Sequence, residues 1–254
     1  MMADTYLLEV AANSVTSALT AQEGGAGRVE LCTALELGGL TPSFAQIALA
    51  REHLSIPLYV LIRPRGGDFV YNDRECELML RDIETCVELG CDGVVLGVLD
   101  TEGKVDLTRC RELIAAARQL GVTFHRAFDV SLDPIQALED VIALGCERVL
   151  TSGTQASAAD GAGLIHTLIV QAAGRLTVMP GAGINAQNIA SLAQVTHARE
   201  FHASAKHVLP SRMHQHRQTL DGLDGSELCT DLTQVREIVT ALRGIADAPH
   251  ARMA

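Results

Sequence analysis

The chain has 254 residues, of which 48% are hydrophobic and 20% are charged, and its net charge is -11. This apolar content can bury a sizeable core, and one large domain is the default at this length. The acidic balance excludes a nucleic-acid partner, since no basic face can release counterions, and no apolar run approaches the roughly twenty residues of a membrane span.

Short apolar strands alternate with amphipathic helices along the chain. The eight predicted strands are evenly spaced and lie at 6–11, 28–32, 57–64, 93–99, 122–128, 148–152, 176–180 and 200–205. Eight βα units favour a single (β/α)8 TIM-type barrel over residues 1–245. A doubly wound open sheet is the alternative, but the first strand is not followed by Gly-x-Gly-x-x-Gly.

Capping residues mark the starts of several helices. Thr41 and Asp133, each followed by proline, predict the starts of the second and fifth helices. Asp106 and Asn185 predict the N-caps of the fourth and seventh helices.

The segment 206–228 after strand eight is too long for an ordinary connection. We interpret it as a long loop that either covers the barrel mouth as a lid or forms a contact in a homo-oligomer. His214 and His216 within it are more typical of a solvated loop than of a metal site. A final helix is predicted at 231–243, followed by a disordered tail at 246–254.

Two features predict a cytoplasmic protein. The N-terminus lacks a basic segment followed by an apolar run, so no signal peptide is indicated. The seven cysteines form no C-x-x-C or C-x-x-H pair, which favours free thiols over a disulfide framework or a structural zinc site.

Polar side chains occur near the C-terminal ends of the predicted strands, where barrels build their sites. Alternate strand residues face inward, so Glu9, Glu30, Arg63, His125 and His202 should converge at the mouth. We expect Arg63 to hold Glu30 ionised. Glu9, with only His202 as an obvious partner, is then predicted to have the raised pKa.

These residue types suit proton-transfer or hydrolytic chemistry on a phosphorylated or carboxylated metabolite. The candidate catalytic groups are a carboxylate base, an imidazole, two cations and an orienting carboxylate: Glu9 or Glu30, His125, Arg63, Arg126 and Asp129. The candidate ligand-binding residues are Ser152, Gly181, Gly183, His202 and Ser204. The alternatives are that the polar groups satisfy one another as a structural network, and that the two glycines serve only a tight turn.

Four motifs together resemble the CutC family of copper homeostasis proteins: ELCTALELGGLTPS at 30–43, RPRGGDFVY at 63–71, FHRAFD at 124–129 and LTSG at 150–153. The resemblance covers about residues 7–206 and implies a cytoplasmic TIM-type barrel associated with copper, with Cys32 as the candidate Cu(I) ligand. The chain departs from the family pattern at Ala11, where many relatives carry cysteine, and at Thr154, where relatives often carry glycine. Because Cu(I) prefers at least two soft donors, Ala11 weakens a thiolate-pair site, and Cys32 has the alternative role of a small buried apolar residue. A barrel kept only as an interaction scaffold is a third class of function.

Overall fold

The computed structural model describes residues 6–213 and 226–246 of the chain. Its main sheet consists of short strands, buried along most of their length, at the predicted places: β1 (Leu7–Ala12), β2 (Arg28–Leu31), β3 (Leu58–Leu61), β4 (Gly93–Leu96), β5 (Gly121–Phe124), β6 (Arg148–Thr151), β7 (Thr177–Pro180) and β8 (Glu200–Ala203). The helices that alternate with them and follow the last strands are α1 (Val15–Glu23), α2 (Phe44–His53), α3 (Asp73–Glu88), α4 (Leu107–Ala117), α5 (Pro134–Ala143), α6 (Ala162–Ala172), α7 (Ile189–Thr196) and α8 (Leu232–Ala246).

The strands pair in parallel in the order β7-β6-β5-β4-β3-β2-β1-β8, and β7 and β8 are neighbours in space. This arrangement confirms the predicted single (β/α)8 barrel. Leu8 and Val10 of β1 pack outward in the core between strands and helices, so Glu9 between them faces the interior. None of the helices in the described residues has the length and apolar composition that a membrane crossing requires.

Two of the four predicted caps differ in the structure. Asp106 and Asp133 accept hydrogen bonds from the first turns of α4 and α5, as predicted. The N-cap of α2 is Ser43 instead of Thr41, because the Thr41 hydroxyl accepts a hydrogen bond from the Arg63 N–H (2.8 Å). Asn185 caps a turn that precedes α7.

The segment after strand eight is more ordered at its ends than a loop. Strands β9 (Lys206–Leu209) and β10 (Glu227–Thr230) pair in an antiparallel ribbon, so the predicted loop was wrong at both ends. Asn13 Nδ2 donates to the Leu228 carbonyl (2.6 Å), which ties the ribbon to the end of β1. Residues 214–225, with His214 and His216, lie outside the described residues, as do 1–5 and the tail beyond residue 246.

Candidate functional site

A cavity of about 220 Å³ opens at the C-terminal ends of the barrel strands. Eight of the predicted site residues line it: Glu30, Cys32, Arg63, His125, Arg126, Gly183, His202 and Ser204. Apolar side chains complete the wall: Leu35, Leu61, Phe69, Leu150 and Ile184. The lining does not include the other four predicted site residues, Glu9, Asp129, Ser152 and Gly181.

Glu9 is fully buried and tightly paired. The register of β1 places it level with Arg28 on β2 and His202 on β8. Its Oε2 accepts from Arg28 Nε, and its Oε1 lies 2.7 Å from His202 Nδ1. Although burial works in the opposite direction, Arg28 and His202 lower the pKa of Glu9 to about 2. The predicted raised pKa of Glu9 is therefore wrong, because Arg28 was missed as its partner.

Glu30 has the raised pKa instead. Its Oε2 is buried, has no hydrogen-bond partner among the described residues, and lies 3.9 Å from His202 Nδ1. Burial, with the charge of Glu9, raises the pKa of Glu30 to about 7. The expected pairing with Arg63 is wrong, since that guanidinium donates to the carbonyls of the loops after β2 and β3, those of Leu37, Gly39 and Gly67.

Below the cavity, an unpredicted column of charges fills the barrel interior. Arg28 Nη2 and Arg148 Nε both donate to Glu200 Oε2, each at 2.7 Å. Arg148 also binds Glu147 (2.6 Å), and the two arginines lie at about 5 Å on the ring of Tyr59. Strand parity could have revealed Arg28, which stands two residues before Glu30 and therefore faces the same side.

His125 lines the cavity, and only one of its ring nitrogens has a partner in the described chain. Its Nδ1 accepts from the Ala127 N–H (3.2 Å), and its Nε2 is buried without a partner in the described chain. Burial and the nearby Arg63 lower the pKa of His125 to about 3, so the ring is neutral at pH 7. Phe69 packs on it with a centroid separation of 4.9 Å.

Asp129 organises the loop after β6 and does not orient His125. It accepts from the Ser152 and Thr154 N–H groups (3.0 and 3.2 Å) and from Arg126 Nε (2.7 Å). Arg126 Nη2 donates in turn to Ser152 Oγ (2.9 Å), so Asp129 and Ser152 position Arg126 at the rim. Thr154 has φ of 59°, a left-handed conformation that favours the glycine of the family pattern.

Cys32 is the one cysteine among the described residues that line the cavity. Its thiol is buried, and burial together with Glu30 and Glu36 raises its pKa well above the usual range. Ala11, at which this chain departs from the family motif, also lines the cavity. Met179 carries another soft donor, a thioether sulfur, but it does not line the cavity and lies 3.3 Å from Arg28 Nη2.

Glu9, Glu30 and His202 are close enough to hold a cation, since one ligand atom of each lies within 4.8 Å of the others. Two oxygens and one nitrogen suit a hard or borderline divalent ion better than Cu(I). Arg28 already neutralises Glu9 at this place.

The loops after β7 and β8 approach the ligand space closely. Gly183 (φ 74°) and the preceding Ala182 (φ 76°) are both left-handed and line the cavity. Gly181 packs closely against Leu150, because an added Cβ would lie 2.5 Å from Leu150 Cδ1. Ser204 lines the cavity from the end of β8.

Comparison with known proteins agrees with the motifs. A solved structure with this barrel, phosphoribosyl anthranilate isomerase from Thermotoga maritima, has a TM-score of 0.60 at 12% identity and covers 94% of this chain and 100% of its own, which shows the fold alone. The CutC structure from Streptococcus agalactiae, whose name assigns it to copper homeostasis, has a TM-score of 0.76 at 35% identity and covers 79% of this chain and 99% of its own.

Sequence relatives match over nearly the whole chain. A protein named "family protein CutC" from Xylella fastidiosa (strain Temecula1) is 61% identical to this chain, and the match covers 92% of this chain and 88% of the relative. One from Xanthomonas campestris pv. campestris (strain B100) is 58% identical over 93% of this chain and 98% of the relative. The model of the CutC family matches residues 6–207. The chain therefore belongs to the CutC family.

Proposed function

We propose that this protein is an enzyme that acts by proton transfer on a small phosphorylated or carboxylated metabolite bound at the barrel mouth. The observation that carries the proposal is the Glu30 carboxyl, which is buried in the cavity wall with Oε2 unpartnered among the described residues. A structural network would satisfy such an atom, because an unpaired buried polar group costs stability.

Glu30 has the acidity that proton transfer needs. With a pKa near 7, it can accept and return a proton at neutral pH. Although burial opposes them, the carboxylates of Glu30 and Glu9 raise the pKa of His202, which lies beside Glu30. Glu9 and Arg28 then act as positioning residues for His202.

Two arginines supply the affinity for an anion. Arg63 lines the cavity, and its Nε is buried without a partner in the described parts of the chain. Arg126 stands at the rim with 45% of its side chain exposed, so it can turn toward a ligand. Both cations favour a phosphate or carboxylate group in a chain that is otherwise acidic.

The test is a thermal-shift screen of small phosphorylated and carboxylated metabolites on the wild type, Arg63→Met and Arg65→Met. Arg65 is the matched control, because it pairs with Asp68 and Glu75 and does not line the cavity. We expect at least one compound to stabilise the wild type and the control but not Arg63→Met. A screen without any stabilisation of the wild type would overturn the proposal.

Cu(I) binding at Cys32 is the second candidate function. It is favoured by the thiol, which shares the cavity with His125 and His202, and by the copper-homeostasis name of the Streptococcus agalactiae protein. An anaerobic competition titration against a Cu(I) chelator on the wild type, Cys32→Ala and Cys76→Ala tests it. One-to-one binding lost only in Cys32→Ala would establish this site. Binding indifferent to Cys32 would exclude it.

The cytoplasm is the proposed location. All seven cysteines are free in the structure, which suits a reducing compartment.

A further inference from the structure

The hydrogen bonding of His125 determines which atom it offers to a ligand. Because Nδ1 accepts the Ala127 N–H, a neutral ring must carry its proton on Nε2. Nε2 is the buried atom without a partner in the described residues, and the ring lines the cavity. His125 therefore carries, in the cavity wall, a buried hydrogen-bond donor that has no acceptor among the described residues.

The packing around the ring keeps it in this orientation. Phe69 covers the ring, and an added Cβ on Gly97 would lie 2.6 Å from His125 Nδ1, so the end of β4 touches the ring. Arg63 stands near His125 on the cavity wall, but its terminal nitrogens already donate to backbone carbonyls. His125 is thus the fixed neutral donor of the cavity wall.

We infer that His125 donates from Nε2 to a carbonyl oxygen of the substrate, and that the substrate class is small anionic carbonyl compounds with an acidic C–H next to the carbonyl. This inference rests on the proposed function and deepens it. Glu30 and His125 come from β2 and β5, which are separated by two strands in the barrel, so a ligand between them meets a base at one end and a donor at the other.

The step that this geometry supports is enolisation. The Glu30 carboxylate takes the proton from the carbon next to the carbonyl, and the C–H electron pair becomes the carbon–carbon double bond. The carbonyl π electrons move to the oxygen, whose charge the Nε2–H of His125 stabilises without giving up its proton. Return of the proton from Glu30 to the same or the adjacent carbon completes an exchange or an isomerisation, with no other reactant.

The test compares carbonyl compounds with alcohols of the same shape and charge. Dihydroxyacetone phosphate is paired with glycerol 3-phosphate, and pyruvate with lactate, on the wild type, His125→Leu and His125→Gln. We expect the carbonyl member of at least one pair to bind roughly tenfold more tightly, as one hydrogen bond predicts. His125→Leu should remove this preference, and His125→Gln, whose amide can donate, should restore part of it.

Two further measurements are specific to the mechanism. Nitrogen-15 NMR of the imidazoles should show His125 as the neutral Nε2–H tautomer down to pH 5. In D2O, the wild type should exchange the hydrogen next to the carbonyl of the bound compound, and Glu30→Gln should slow this by about 100-fold or more.

The outcomes separate the two proposals. Anions that bind through Arg63 with equal affinity for ketone and alcohol, or a preference that survives in His125→Leu, would overturn the carbonyl inference and leave the proposed function standing. An Nδ1–H or protonated His125 at pH 7 would also overturn it. If no compound of either kind binds the wild type, both proposals fall.

Discussion

Glu9 and Glu30 show how neighbours decide the chemistry of identical side chains. Both carboxyls are buried in one barrel, on adjacent strands. Glu9 receives the guanidinium of Arg28 and stays ionised, whereas Glu30 has an oxygen without a partner in the described chain and a pKa near 7. The residue without a partner is the one free to react.

Glu30→Gln should make the stability less dependent on pH. The pKa of Glu30 rises from an ordinary 4.5 to about 7 on folding, so the folded chain holds the proton more tightly. The tighter proton binding stabilises the folded chain fully below pH 4.5, and this stabilisation, about 3 kcal/mol, is lost as the pH rises through 7. We expect Glu30→Gln to be more stable than the wild type at pH 8 and similar at pH 4.5, in urea unfolding at constant ionic strength. The exposed Glu36→Gln is the control, and equal pH profiles for Glu30→Gln and the wild type would contradict the assignment.

Thr154→Gly should stabilise the protein. Thr154 adopts φ of 59°, which is strained for a β-branched residue. Glycine removes the strain at some cost in unfolded-state entropy, so we expect a net gain of about 0.5–1 kcal/mol, seen as a rise in Tm. Thr101→Gly, at an exposed turn residue without positive φ, should lower the Tm. A lower Tm for Thr154→Gly would show that the side chain contributes more than the strain costs.

At the scale of the element, β4 and β5 use glycine where the barrel interior needs room. A Cβ on Gly93 would clash with the ring of Tyr59, and one on Gly121 with its hydroxyl. Gly97, just past β4, leaves the space that the His125 ring occupies. The glycines of these strands therefore leave space for large side chains that belong to other strands.

Gly97→Ala should disable the site and keep the fold. The added methyl must displace the His125 ring, so we expect the Nε2–H signature of His125 to change and ketone binding to weaken by tenfold or more. Circular dichroism should stay unchanged. Gly163→Ala in α6 is the matched control, because an added Cβ at this residue would have no atom within 4 Å. Alanine also favours a helix over glycine by about 1 kcal/mol. Normal ketone binding by Gly97→Ala would contradict the positioning role.

At the scale of the molecule, the alternation of strands and helices and the parity of β1 were enough to predict the barrel and the inward direction of Glu9. The partners were harder to predict. The inward direction of Arg28 also follows from the strand parity. The partners of Arg63 do not, because its guanidinium donates to the carbonyls of Leu37 and Gly39, which lie in a loop whose path no local sequence pattern predicts. The direction in which a side chain points follows from the period of the strand, whereas its hydrogen-bond partners depend on the loops and on how far a long side chain extends.

Arg28→Met should destabilise the whole barrel, because it leaves Glu9 buried without its cation. We expect a loss of about 3–5 kcal/mol in urea unfolding. The double variant Arg28→Met/Glu9→Gln should recover part of it, since no buried charge is then left alone. Arg81→Met, which removes only exposed ion pairs, should change stability by less than about 1 kcal/mol. An equal loss in the single and double variants would mean that packing, not charge, makes Arg28 necessary.

The charge column beneath the cavity also bears on how the family can diverge. Arg28 and Arg148 share Glu200, but Arg28 also holds the buried Glu9, so a replacement of Arg28 leaves Glu9 without its cation and requires a second, compensating replacement. The cavity wall above has no such interdependence at Leu35 or Ile184. We expect proteins that descend from one ancestral barrel to keep the residues of the charge column together, and to change their substrate through single substitutions of cavity-wall residues.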